Sequence, residues 1–176
     1  MKRNNSELMT ADDNEVFEKC LFFLKDIGIK IQFRELQEGT LLPGFEIEGG
    51  VLCINRDSVL YPGDILHEAG HIAVVPSAER ETLFNANIDK RKEREAEEMM
   101  AIAWSYAACI YLNIDPHFVF HDNGYKGGGS YIADNFKEKR YFGLPMLQWI
   151  GLTHDEKNAE EKGAVAYPVM IKWLRD

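Results

Sequence analysis

Two histidines and a glutamate interrupt an otherwise apolar stretch, Asp64-Ile65-Leu66-His67-Glu68-Ala69-Gly70-His71-Ile72-Ala73-Val74-Val75, and no other feature constrains the fold as much. Pro62-Gly63 before it and Pro76 after it are start and stop signals, so the stretch is expected to be a helix with Asp64 near its positive end. Residues four apart share one helical face, which brings the His67 and His71 imidazoles together. Burying two imidazoles and a carboxylate among Ile, Leu, Ala and Val is costly unless each is hydrogen-bonded or bound to a metal. The chain therefore has to pack this helix as core while keeping one of its faces polar.

The spacing His67-Glu68-Ala69-Gly70-His71 has the HExxH form, in which two imidazoles grip a single Zn²⁺ and the glutamate beside them acts as general base. From that position Glu68 takes the proton of a water on the metal and returns it to the leaving amine, the chemistry of peptide hydrolysis. Gly70 in a helix costs about 1 kcal/mol relative to Ala, which implies a packing reason for it. Zinc requires a third protein ligand. The metzincin solution would place Gly at position 74 and His at position 77, where this chain has Val74 and Ser77, so that class is excluded. The acidic stretch from Glu93 offers Glu93, Glu95, Glu97 and Glu98. Glu98 is favoured because it is the last charge before an apolar run, with Ala101 and Ser105 beside it to allow close approach to Ala69 and Gly70. Glu95, one turn earlier, is the rival, while Glu93 and Glu97 are expected to be solvated.

A chain of 176 residues, 45% of them hydrophobic and 28% charged, is long enough for one well-packed domain, read here as a single unit over residues 1–176. A net charge of -9 repels phosphate backbones and anionic membrane surfaces, so neither nucleic acid nor membrane is expected as a partner. Cys20, Cys53 and Cys109 are odd in number, far apart and flanked by apolar residues, which predicts buried thiols. Polar and acidic residues follow the first basic ones, so a secretory signal is not expected and the reading is cytoplasmic. The uncharged run from Met99 to Ile114 is shorter than the roughly 20 residues of a bilayer span and reads as a core helix.

Around the motif, Thr10 with Asp13 resembles a capping box that opens a helix with apolar positions Val16, Phe17, Cys20, Leu21, Leu24 and Ile27, after a polar start at Met1 to Leu8. Strands are expected at Ile29 to Phe33, Phe45 to Glu48 and Val51 to Asn55, the last two joined as a hairpin by Gly49-Gly50. A charged connector from Ser77 to Asp89 leads into a long helix from about Lys90 to Leu112. Asp115-Pro116 marks another start, Gly124 to Gly129 a loop, and Tyr131 to Lys139, Pro145 to Ile150 and Ala159 to Arg175 shorter helices. The expected class is α+β: a small antiparallel sheet packed on the HExxH helix and a long buried helix, with short helices toward the C-terminus. In His117-Phe118-Val119-Phe120-His121 the two histidines read first as rings on a capped core helix. His121 and Tyr125, beside the glycine-rich loop, are candidates to line the cleft and donate to a developing oxyanion.

The HEAGH sequence, the preceding hairpin and a glutamate on a following helix resemble the gluzincin metallopeptidases, particularly the compact ones related to ImmA/IrrE proteins, over roughly Phe45 to Leu112. The resemblance implies that the strand before the HExxH helix, Val51 to Asn55, is a sheet edge that binds an extended peptide. The family's pattern after the glutamate is replaced here by Met99-Met100-Ala101 before Trp104. Two functions of different class follow. The first is a zinc hydrolase acting on a peptide or protein, with His67, His71 and Glu98 as ligands, Glu68 as base, and His121 and Tyr125 assisting. The second is a zinc-bearing sensor or accessory module that works by association. Glu68 separates them, since a structural zinc site needs no base and fills all four positions.

Overall fold

Thr10 starts the first helix: its hydroxyl accepts from the Asp13 N–H at 3.1 Å and donates to the Asp13 carboxylate at 2.7 Å, and α1 runs Ala11–Asp26. The computed structural model describes residues 9–37, 42–125 and 127–176; the polar start at Met1 to Leu8 and Lys126 of the glycine-rich loop lie outside the described residues. Phe17, Cys20, Leu21 and Leu24 of α1 are buried, Phe17 against Phe45 of the sheet.

The sheet has three strands, β1 Ile31–Phe33, β2 Phe45–Glu48 and β3 Val51–Ile54, in the order β1-β3-β2. β2 and β3 form the expected hairpin, Glu48 opposite Val51, and both glycines of its turn have positive φ, +58° at Gly49 and +71° at Gly50, a geometry that side chains resist. β1 pairs parallel to β3, so the sheet is mixed and not wholly antiparallel. Arg34, just beyond β1, reaches across β3 to Glu46 at 3.1 Å and also to Glu48, two positions on one face of β2, and this pairing favours β3 in the middle. The same order corrects the expectation that Val51 to Asn55 is an edge: β3 is paired on both sides, and the hairpin edge belongs to β2.

Helix α2 spans Asp64–Val74, and α4 spans Arg94–Leu112, starting four residues later than expected. These two helices pack along each other at the centre of the molecule, with the sheet against α2 and helix α6, Leu144–Trp149, against α4. Trp104 of α4 is completely buried, as are Leu52, Ile65 and Leu66. The connector holds a 3₁₀ turn over Ser77–Thr82 and a short helix α3, Asn85–Ile88. Asp115 caps only a 3₁₀ turn, Pro116–Phe118, so His117 and His121 do not share a helix face. After α5, Gly129–Lys137, and α6, the expected helix from Ala159 to Arg175 is replaced by α7, Glu156–Lys162, which stops at Gly163 with φ +61°. Pro168, lacking an N–H, lies inside the expected span, and the remainder forms an irregular tail joined to the body by a bridge from Met170 to Thr153.

That tail closes the far end of α2. The Arg175 N–H donates to Ala73 O at 2.9 Å and its guanidinium to Val74 O at 3.2 Å, while Arg80 donates to Ile72 O at 3.2 Å and to the Arg175 carbonyl. Two guanidinium groups and one backbone N–H here satisfy carbonyls that the helix itself leaves without partners. The three cysteines are free and buried, as expected. Among the described residues, no helix is long and apolar enough to cross a membrane.

Candidate metal centre

The site is built by a close approach of two helices. A Cβ on Gly70 would lie 2.9 Å from the Ala101 carbonyl oxygen and 3.1 Å from its Cα, so only glycine lets α2 and α4 come this near. The Ser105 hydroxyl stands 2.7 Å from Ala101 O and 3.2 Å from Leu66 O, tying the same faces together. Glu98, one turn before Ala101 and Ile102, is thereby carried to the imidazoles of α2.

The His67 and His71 Nε2 atoms are 3.1 Å apart, His67 Nε2 is 3.5 Å from Glu98 Oε1, and His71 Nε2 is 3.3 Å from Glu98 Oε2. Three ligand atoms at about 2.0–2.1 Å from a tetrahedral zinc ion would stand about 3.3–3.4 Å apart. The triangle has that size and the donor set is two imidazoles and one carboxylate, so the residues fit a metal ion. Glu98 is thus the carboxylate brought to the histidines. Glu95 is exposed. Glu97 is not solvated: it is buried and clasped by Arg91 through two bonds of 2.7 and 2.8 Å, and Arg91 also holds Glu79 at 2.8 Å.

The electrostatics follow from burial and from neighbouring charge. Burial, reinforced by the charge of His71, pushes His67 down to about 4, so at neutral pH its ring is uncharged and its nitrogen lone pair is free to bind. Burial lowers His71 too, but its hydrogen bond to Glu98 and the charge of Glu68 outweigh that and hold it above its ordinary value. For Glu98, burial raises the carboxyl, yet the His71 bond and the charges of both imidazoles bring it down to about 2. Glu68 goes the other way. Burial, opposed by His71 and aided by Asp64 and Glu98, pushes it up to about 7.

The triad and Glu68 open on one cavity of about 230 Å³, walled also by Asp64, Asn85, Ile88 and Tyr125. Among the described residues, Asp64 Oδ2, His67 Nδ1 and Tyr125 OH are buried without a partner, a concentration of unsatisfied polar atoms that ordinary core does not contain. Tyr125 packs edge-on against the His67 ring, 5.7 Å between centroids, and burial raises its phenol well above the ordinary value, so it keeps its proton as a donor. His121 is placed differently from the expectation. Its Nε2 lies 2.9 Å from Asp64 Oδ1, its Nδ1 accepts from the Gly124 N–H at 3.1 Å, and its ring stacks on Tyr61. Both nitrogens are engaged, so His121 has no N–H to offer an oxyanion and serves instead to hold Asp64. Asp64 itself, four residues before Glu68 on the same helical face, and Asn85 were not singled out from the sequence; the four-residue spacing to Glu68 is the one signal that pointed at Asp64.

Comparison with known protein families, with curated proteins and with solved structures finds no match for the chain.

Proposed function

We propose that this chain is a zinc-dependent peptidase of the compact gluzincin kind, hydrolysing peptide bonds in a peptide or protein substrate. The observation that carries this reading is that a carboxyl raised to about 7, Glu68, and the ligand triangle of His67, His71 and Glu98 open on the same cavity. A structural metal site has no use for such a neighbour. Held by His67, His71 and Glu98, zinc would supply Lewis-acid chemistry for polarising the scissile carbonyl and activating water. The rest is done by the protein. Glu68 accepts the proton of the attacking water and delivers it to the leaving amine. The Tyr125 O–H donates to the carbonyl oxygen as negative charge develops there. His121 fixes Asp64, whose charge helps keep the Glu68 carboxyl high.

Glu68→Gln tests the reading, because it preserves shape and ligands while removing the base. Purified wild-type protein is expected to hold zinc by elemental analysis and to degrade a denatured casein digest followed by mass spectrometry. The variant is expected to keep its zinc and lose cleavage by about 10²–10⁴-fold. Wild-type protein that binds no zinc, or a variant that cleaves at the wild-type rate, would end the proposal.

A further inference from the structure

The hairpin edge of the sheet is closed off from direct strand addition beside the site. The Ile47 N–H of β2 donates to Asn85 Oδ1 at 2.6 Å, Glu48 bridges to Phe84, and the Gly50 N–H donates to Leu83 O at 3.1 Å. An extended peptide reaching this side of the cavity therefore meets Asn85 before it meets β2. Asn85 is the first residue of α3, and that turn is pinned: the Phe84 N–H donates to Asn87 Oδ1 at 3.0 Å and Asn87 Nδ2 donates to Thr82 O at 2.7 Å.

The orientation of the carboxamide is not free either. A backbone N–H can only donate, so the atom facing Ile47 has to be the amide oxygen, and the NH₂ group has to point the other way. Among the described residues Asn85 Nδ2 has no acceptor, and Asn85 lines the same cavity as His67, Glu68 and Glu98. The strand's donor is in effect moved outward by one side chain, from Ile47 N–H to Asn85 Nδ2. A hydrogen-bond donor held at a fixed angle over a cleft recognises a main-chain carbonyl whatever the neighbouring side chain is.

We propose that Asn85 is a substrate-binding residue that donates through Nδ2 to a main-chain carbonyl of an extended peptide lying in the cavity, in place of the strand edge. This rests on the peptidase reading above, and two probes keep the two apart. Acetohydroxamate binds the metal alone; N-acetyl-leucyl-glycine hydroxamate adds peptide carbonyls to the same metal-binding group. With zinc-loaded protein and calorimetric titration, the peptidyl probe is expected to bind more tightly than acetohydroxamate. The ratio of the two affinities is expected to fall by about tenfold in Asn85→Ala and in Asn85→Asp, the worth of one hydrogen bond. Asn85→Asp retains the acceptor for Ile47 N–H and exchanges the donor for a carboxylate, whose charge acts on the metal-binding group that both probes share and so cancels in the ratio; a purely structural role for Asn85 would leave the ratio at its wild-type value. In ¹H–¹⁵N spectra the Asn85 side-chain amide signals are expected to shift with the peptidyl probe and not with acetohydroxamate. An unchanged ratio in Asn85→Asp, or unshifted amide signals, overturns this inference alone. Failure of acetohydroxamate to bind the zinc-treated wild type overturns the metal-centred reading and this one with it.

Discussion

At the scale of single residues, three neighbouring carboxylates on α4 meet three different fates because each step along a helix turns the side chain by about 100°. Glu98 faces the imidazoles, Glu97 is buried against Arg91, and Glu95 is exposed. Glu98→Ala is expected to abolish zinc binding, an effect well beyond the roughly 10–100-fold loss that follows removal of an outer partner of a ligand. Glu95→Ala is expected to leave zinc affinity unchanged. Competition against a chromogenic chelator measures both, and a Glu95→Ala variant that loses zinc would return the assignment to its rival. Of the site, His67, Glu68 and His71 were legible because they are local: four-residue spacing on a helix is geometry that a sequence displays. Glu98 was narrowed by its place at the border of the apolar run. The fate of Glu97 was not visible, since an acid paired with an arginine six residues away and an acid in water look the same in one dimension. Asp64 with His121, 57 residues apart, and Ile47 with Asn85, 38 apart, are products of tertiary packing.

Between elements, the contact that matters most is the one that Gly70 permits. Gly70→Ala gains about 1 kcal/mol in helix propensity but drives a methyl to 2.9 Å from the Ala101 carbonyl, and that oxygen belongs to a helix backbone that cannot turn aside. Overpacking of this kind costs about 1–3 kcal/mol, so the net effect is expected to be destabilising and to push Glu98 away from His67 and His71. Urea unfolding and zinc titration of the variant check the two consequences; a stabilised variant with full zinc affinity would mean the helices have room to spare. The glycine was readable as a sign of close packing, and so were the caps, because Thr10 with Asp13 and the Gly49-Gly50 turn act within a few residues. The parallel pairing of β1 with β3 was not, since strand order depends on which partner a strand finds across the sheet and the residues of β1 alternate in the same way for either direction. Short elements such as α3 escaped for a related reason: four residues contain too little of a helical period to show one.

For the molecule as a whole, the face of α2 that carries His67 and His71 is held at both its ends. At its start α2 is tied by Asp64 to His121; at its end the carbonyls of Ile72, Ala73 and Val74 are taken by Arg80 and Arg175, one to three residues beyond His71. The tail that delivers Arg175 is itself anchored by Trp173, whose carbonyl accepts from Trp104 Nε1 at 2.9 Å and whose ring stands edge-on to Phe23 and Trp104, 4.9 and 5.4 Å between centroids. A chain ended at Lys172 loses that ring and every bond from Arg175. The ring is only partly buried, which places the cost below the 3–5 kcal/mol of a fully buried aromatic, at about 2–3 kcal/mol in urea unfolding. Zinc adds a second, separable measurement. On the proposed reading, zinc at a concentration a thousandfold above its dissociation constant for the full chain is expected to stabilise that chain by about 4 kcal/mol. If the tail only adds packing, the shortened chain gains the same increment; if it holds the last turn of α2, and with it His71, the shortened chain binds zinc more weakly and gains less. The bonds from Arg175 to Ala73 and Val74 argue for the smaller gain, and an equal increment would mean that the helix keeps its last turn, and its grip on the metal, without help from the end of the chain.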